Sequence, residues 1–295
     1  LPMNNITLPT VNTNTNRFNT GQGYEYDKIG NLKKDVTANQ SRDIKFNGDN
    51  KQIEIKDTNT GIKIGEYFYD GSGKRVKKRI FDGNNQPIED VIFVYSGDNL
   101  VAEYSNSTPP QNPTTKYVVT DTLGSVRAIT NHLGEIISRR DFMPFGEELQ
   151  ADTTYRKANL KYNTDDVRQK FTGYQKDEES GLDFAEARMY NNAHARFTAV
   201  DPLLASGKSA NPQTFNRYVY VMNNPIAYTD PDGLQAGNKP KDKKQIPNIK
   251  VSVVSVPKAN VYRNQRVDGG SEGTKYFTGA GSIITVRITD LDNKP

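Results

Sequence analysis

The sequence predicts an all-β protein: a ribbon of repeated β-hairpins, a more aromatic closing segment and a small β-rich tail. Three observations lead there. Only 34% of residues are hydrophobic while 25% are charged, and Asn, Thr, Gly and Tyr are prominent, which favours turns and strands over amphipathic helices. A strand, an Asp-containing tight turn with glycine and a return strand recur along the chain. Short aromatic runs separated by turns come next, and β-branched runs close the sequence.

At 295 residues the chain can bury a sizeable core. The net charge of +4 is small for this length, and bases are scattered among acids, so nothing in the repeats argues for nucleic-acid binding. With no cysteine, disulfides, thiolate zinc sites and a cysteine nucleophile are excluded. No apolar run is long enough to span a membrane as a helix. The chain opens Leu1-Pro2-Met3 without a basic-then-apolar leader, and reads as part of something longer.

Residues 1–23 are Asn- and Thr-rich and read as an irregular lead-in. Residues 24–140 carry the hairpins. The clearest are Tyr24-Glu25-Tyr26-Asp27-Lys28-Ile29-Gly30-Asn31-Leu32 and Tyr67-Phe68-Tyr69-Asp70-Gly71-Ser72-Gly73-Lys74-Arg75-Val76. Degenerate copies occur at Tyr95 to Leu100, at Thr120-Asp121-Thr122-Leu123-Gly124-Ser125-Val126-Arg127, and around Asn131-His132-Leu133-Gly134. Self-similarity at this spacing marks a repeat architecture in which each hairpin buries its apolar face on its neighbours. Pro109 to Pro113 reads as a surface loop, and 150–169 as a long polar loop. Residues 141–234 form the closing segment, with short strands expected at Phe171 to Tyr174, Gly181 to Phe184, Ala187 to Tyr190 and Arg196-Phe197. A basic linker, 235–250, leads to a variable segment, 251–295, with strands expected at Val251 to Val256 and Ile283 to Ile288.

Other chemistries are poorly supported. His132 and His194 have no acid at ligand spacing, so no metal and no cofactor is expected. Gly207-Lys208-Ser209 echoes a phosphate loop, but Pro202 stands where its first glycine belongs. The tyrosines fit cross-strand packing better than a sugar-binding face. In the tail, Asp268, Glu272, Asp290 and Asp292 make no recognisable catalytic spacing.

In their fixed order, the tyrosine-aspartate hairpins, Asp121 to Arg127, Met143-Pro144-Phe145-Gly146-Glu147, Gly181-Leu182, Ala187-Arg188-Met189-Tyr190 and Arg196-Phe197 ahead of Asp201-Pro202 resemble the RHS/YD-repeat family and its RHS repeat-associated core. Asn216 to Pro225, leading to Asp230-Pro231-Asp232-Gly233-Leu234, is similar to the closing signature of that core. The resemblance spans residues 24–234. It implies part of a hollow β shell, plugged by the core, in a bacterial polymorphic toxin. A wall of this length would need the missing upstream YD repeats to be complete.

The resemblance further implies self-cleavage after Leu234, at the Leu234-Gln235 bond, by an aspartate pair, Asp201 and Asp230, with Asp232 as a substitute for Asp230. Peptide hydrolysis needs one carboxyl to take a proton from water and another to give one to the carbonyl oxygen or leaving amine, and two carboxylates pressed together split their pKa values and so divide the roles. The two aspartates stand 29 positions apart, so strands around Tyr218 to Met222 are expected to fold back as a hairpin. Pro202 and Pro231 fix the backbone after each carboxylate, Gly233 permits a left-handed turn, and Arg196 or Arg217 would hold one aspartate ionised. The spacer from Leu203 to Gln213 is longer than the family's compact form.

The implied partners are the protein's own C-terminal segment as cargo, the upstream repeats, secretion-system components, an immunity protein or cell-surface carbohydrate; the implied setting is secreted or at the bacterial cell surface. The competing reading is a non-enzymatic YD-repeat binding or adhesion scaffold with a degenerate cleavage motif.

Overall fold

A computed structural model describes residues 9–36, 41–96, 99–106, 116–202, 215–234, 249–255, 273–279 and 282–290. Every regular element among them is a strand or a short 3-10 turn. Eight strands form one antiparallel sheet in sequence order: β1 (Glu25–Tyr26), β2 (Leu32–Val36), β3 (Ser41–Phe46), β4 (Gln52–Asp57), β5 (Lys63–Tyr69), β6 (Arg75–Phe81), β7 (Pro87–Ser96) and β8 (Asn99–Ser105). Three more, β9 (Tyr117–Thr120), β10 (Val126–Thr130) and β11 (Ile136–Arg139), pair in the order β11-β10-β9. The closing segment supplies β12 (Gln175–Asp177), β13 (Leu182–Ala185), β14 (Arg188–Asn191) and β15 (Arg196–Phe197), again in sequence order. The tail forms a separate sheet, β16 (Ile249–Ser255), β17 (Gly273–Gly279) and β18 (Ser282–Asp290), with β18 central.

The chain divides into two compact units, Leu1–Ile92 with Ser105–Lys241, and Phe93–Tyr104 with Asp242–Pro295. The first unit holds most of the hairpin sheet and all of the closing sheet.

Its hairpins share one turn chemistry. In Asp70 to Lys74, the Asp70 Oδ1 accepts from the Ser72 amide at 2.9 Å and the Lys74 amide at 3.0 Å, while Gly73 takes φ +80. The same arrangement recurs at Asp121 with Gly124 and Asn131 with Gly134. It recurs also at Asn47 with Asn50 and Asp82 with Asn85, where asparagine fills the left-handed position in place of glycine. Those two turns carry no glycine at that position, which is why the motif conceals them in sequence. A side chain short enough to bond its own turn, succeeded three residues later by one that tolerates positive φ, is therefore the local rule that makes the ribbon. Gly97 and Asp98, expected to make the turn between β7 and β8, and the Pro109 to Pro113 loop lie outside the described residues.

Two sequence expectations are corrected. Phe171 to Tyr174 is not a strand but a 3-10 turn, Phe171–Gly173, because Thr172 sits at φ +48. The stretch from Tyr218 to Met222 does not return as a hairpin of strands, because Val221, Met222 and Asn223 take φ of +40, +55 and +60, outside any extended conformation. Only an isolated bridge, Arg196 to Val219, continues the sheet there. The 150–169 stretch is without strands, and is tied down from outside by Arg140, whose Nε donates to Asp165 Oδ2 at 3.1 Å.

The repeat sheet is joined to the closing sheet in three ways. Ile44, Ile55 and Tyr67 pack with Leu182, Phe184 and Met189 in one apolar cluster. Beside it, fully buried Arg75 of β6 reaches Asp177 of β12, and its Cζ lies 3.9 Å from the centre of the Phe184 ring. Lys78 bonds Asp177 at 3.0 Å and Glu179 at 2.8 Å. Burial would push the Asp177 carboxyl up, but Arg75 and Lys78 bring it below its ordinary value; burial and Asp177 together raise Glu179. The third joint centres on Asp35 of β2, which accepts from Arg42 at 2.6 Å and Asn191 at 2.9 Å. His194 Nδ1 stands 3.4 Å from the same carboxylate, and its Nε2 3.3 Å from the Tyr24 hydroxyl.

Removing Arg75 while leaving Asp177 buried is expected to be costly. Arg75→Met should lower stability to denaturant by about 3–5 kcal/mol, and Arg75→Met with Asp177→Leu should recover most of the loss; equal losses would show that the pair does not act as a unit. The His194 joint makes a pH prediction. Burial holds His194 below its ordinary 6.5, against Asp35 and with Arg42 and Arg196 adding to the depression. The unfolded chain therefore takes the proton first, so this contribution is complete above 6.5 and is lost as pH falls through the depressed folded value. The stability difference between the protein and His194→Gln should shrink over that fall, and a difference flat with pH would refute the assignment.

Candidate functional site

The site is built on the tip of the β13–β14 hairpin. Glu186 takes φ +54 to make the tight turn, and the Ala187 amide then donates to the Asp232 carbonyl at 3.0 Å. Gly233, at φ +69, lies over the same tip: a Cβ there would stand 2.4 Å from the Ala185 carbonyl oxygen. Only glycine satisfies both the backbone and the contact. The Asp230 to Leu234 turn is thus clamped to the hairpin by main-chain groups.

Arg188, the first residue of β14, completes the clamp. Its guanidinium lies over Phe197, Cζ 3.7 Å from the ring centre, and is nearly fully buried. Nε donates to the Gly233 carbonyl, Nη1 to the Arg217 carbonyl at 3.1 Å, and Nη2 meets Asp230 Oδ2 at 3.4 Å. Burial pulls the Arg188 guanidinium below its ordinary value, while Asp201 and Asp230 both act on it in the opposite sense. Asp230 is thus in contact with this cation, and Asp201 acts on it electrostatically.

Asp230 is buried, with Oδ1 accepting from the Leu234 amide at 3.0 Å; Asp232 Oδ1 reaches the same amide at 3.3 Å. The Asp230 carbonyl accepts from the Tyr174 hydroxyl. Burial, reinforced by Tyr220 and Asp230, raises Tyr174 well above its ordinary value, so it remains a donor. Asp201 is half-buried; its amide donates to the Arg217 carbonyl at 3.1 Å, and its carbonyl accepts from the Arg217 guanidinium. Behind these groups lies an aromatic core of Phe171, Tyr174, Tyr190, Phe197 and Tyr220, with Tyr190 and Tyr220 ring centres 4.8 Å apart.

Of the residues singled out in the sequence, Asp201, Arg217, Asp230, Asp232, Gly233 and Leu234 gather here, with Pro231 in the turn between the two acids. Arg196 does not: its guanidinium lies over Phe18 and Tyr218. Gln235 and the spacer from Leu203 to Gln213 lie outside the described residues. The residue that sequence reasoning missed is Arg188. It stood inside a quoted motif but at a strand position, and nothing local distinguishes an arginine that points at a turn more than 40 residues downstream. Among the described residues, no group of three or more His, Asp or Glu could hold a metal ion.

An all-β ribbon of Asx-turn hairpins, followed by an aromatic segment that ends in a clamped Asp-Pro-Asp-Gly-Leu turn, defines an all-β repeat protein with a distinct closing segment. No known family's sequence model matches the chain. It is 26% identical over 244 residues to the tRNA3(Ser)-specific nuclease WapA of Bacillus spizizenii, covering 76% of this chain and 10% of that protein. Over 235 residues it is 27% identical to the probable deoxyribonuclease RhsA of Dickeya dadantii, covering 72% and 15%. Over 208 residues it is 26% identical to salivary gland surface protein 1 of Aedes aegypti, covering 62% and 6%. Among solved structures, the TcdB2-TccC3-Cdc42 crystal structure shares the fold, with TM-score 0.55 at 20% identity over 76% of this chain and 12% of that one. The Photorhabdus luminescens Tc holotoxin pore does so with TM-score 0.52 at 19% identity, over 74% and 11%. The chain is thus similar to RHS-type proteins over most of its length, and it spans about a tenth of the length of the curated relatives it matches.

Gly233→Ala tests the clamp. It should lower the thermal midpoint clearly, since positive φ alone costs about 1–2 kcal/mol and the Cβ meets a carbonyl. Gly181→Ala, at φ +68 but with its Cβ 3.6 Å from only an Arg42 nitrogen, should cost less; equal losses would mean that the contact with Ala185 is unimportant.

Proposed function

We propose that this chain is the wall and plug of a bacterial RHS-type polymorphic toxin, secreted or displayed at the cell surface, and that it cuts itself once, after Leu234, to free the C-terminal segment. The carrying observation is that Arg188 meets Asp230 beside the turn that ends in Leu234 and also bonds the Arg217 carbonyl, to which the Asp201 amide donates. Asp230 Oδ1 accepts from the Leu234 amide, so a carboxylate lies one residue's backbone from the carbonyl that would be attacked. Arg188 and the Gly233 contact hold that turn still, which supplies the orientation that hydrolysis without a metal requires. In the proposed reaction one carboxyl of the pair takes a proton from water as the water oxygen joins the Leu234 carbonyl carbon. The other gives a proton to the departing Gln235 nitrogen as the peptide bond breaks.

The names of the relatives support a shared carrier. A tRNA nuclease, a probable deoxyribonuclease and a surface protein each align with most of this chain over a small fraction of their own length. A common part borne by proteins of such different activities fits a carrier better than an effector. No described helix is long and apolar enough to cross a membrane, which leaves β-barrel spans unaddressed. The upstream repeats complete the wall in this reading, and secretion-system components, an immunity protein or surface carbohydrate are further partners.

Expression of residues 1–295 followed by intact mass measurement decides the matter. Self-cleavage predicts a break after Leu234 that Asp201→Asn and Asp230→Asn each abolish while the fold is kept. An intact, folded wild-type chain would overturn self-cleavage and favour a binding scaffold.

A further inference from the structure

Arg196 lies away from the aspartates, and its surroundings leave its charge unanswered. Its Cζ is 4.6 Å from the ring centre of Phe18 and 5.4 Å from that of Tyr218, and the residue is 9% exposed. Nη1 is buried without an acceptor, and the charged and polar groups that act on Arg196 are the hydroxyls of Tyr26 and Tyr218 rather than any carboxylate. A second guanidinium approaches the same tyrosines. Arg17 Nε donates to the Tyr218 hydroxyl at 3.2 Å, and its Cζ is 5.4 Å from the Tyr26 ring centre. Tyr26 and Tyr218 meet edge to face at 5.9 Å, so both arginines contact one aromatic pair.

The donors here are largely unspent. The Tyr218 hydroxyl gives its proton to the Gly30 carbonyl at 2.6 Å and accepts from Arg17, which leaves most of the Arg17 fork free of described acceptors. Gly30 forms the floor: a Cβ there would come within 2.7 Å of Arg17 Nη2 and 2.8 Å of the Tyr218 hydroxyl. The acids close by are committed elsewhere. Asp27 spends Oδ1 on the Gly30 and Asn31 amides and Oδ2 on the Asn31 side chain, and Asp35 is held by Arg42 and Asn191. Stacking on aromatic faces offsets part of the cost of burying a cation, but it uses none of the in-plane N–H groups, whose geometry matches two oxygens of one oxyanion.

We propose that Arg17 and Arg196, together with Tyr26 and Tyr218, form a binding site for a small oxyanion, a carboxylate or a phosphate group. It joins the lead-in, β1 and the closing segment, and is independent of the cleavage chemistry.

The test titrates the full chain with sodium phosphate and with sodium acetate, against sodium chloride at matched ionic strength, by calorimetry and by thermal midpoint. Saturable binding above the chloride control is expected. Arg17→Gln, at a half-buried position, and Arg196→Lys, which keeps the charge but loses the planar fork, should each weaken it at least about tenfold. Arg127→Gln, an arginine paired instead with Asp121 and Asp141, should leave it unchanged. A preference for phosphate identifies a phosphate source, and one for acetate a carboxylate of a polypeptide. Absence of saturable binding by both anions would overturn the proposal, as would binding that Arg17→Gln leaves intact. Should Arg196→Lys not fold, Arg17→Gln still decides.

Discussion

The buried pair of Arg75 and Asp177 is the constraint on which the first unit depends. A hairpin ribbon has no interior of its own: each strand buries one face and needs something laid against it. The closing sheet is that something, and Arg75 with Lys78 of β6 meets Asp177 and Glu179 where the two touch. Apolar contacts such as Ile55 with Leu182 supply adhesion but tolerate sliding by a strand or two, since one aliphatic face resembles the next. A fully buried ion pair tolerates none, because any other register strands a charge in a medium that cannot solvate it. The pair therefore sets where along the ribbon the closing sheet docks.

With that register set, the position of the Asp230 to Leu234 turn is set too. The β12–β15 sheet carries Asp177 at one margin and Arg188 in its third strand, so the element that docks the closing segment also aims the guanidinium. Arg188 then gathers the Asp230 carboxylate and the Gly233 and Arg217 carbonyls, and Arg217 in turn holds Asp201 through main-chain bonds. The aromatic core behind, where Tyr190 and Tyr220 lie against each other, leaves no slack for the turn to retreat.

The turns themselves were legible residue by residue. Asp27, Asp70, Asp121 and Asn131, each with glycine three positions later, announce a hairpin because the side chain replaces a missing turn partner and glycine takes positive φ. Asn47 and Asp82 escape the same reading only because Asn50 and Asn85 occupy the left-handed position. Phe171 to Tyr174 and Tyr218 to Met222 mislead in the other direction. Their aromatic and β-branched residues carry strand propensity, yet Thr172 and Val221 are held left-handed by the packing around them.

By itself, then, the sequence determined the all-β class of the fold, its hairpin turns and the position of the closing motif, because each is a local pattern whose physical cause lies within a few residues. Only the tertiary structure decided that Arg188 rather than Arg196 meets Asp230, that His194 rests on Asp35, and that Arg75 and Asp177 meet, 102 positions apart. Those are choices of partner between distant segments. An arginine, a histidine or an aspartate looks alike in any strand until burial removes water and obliges it to take the one counterpart within reach.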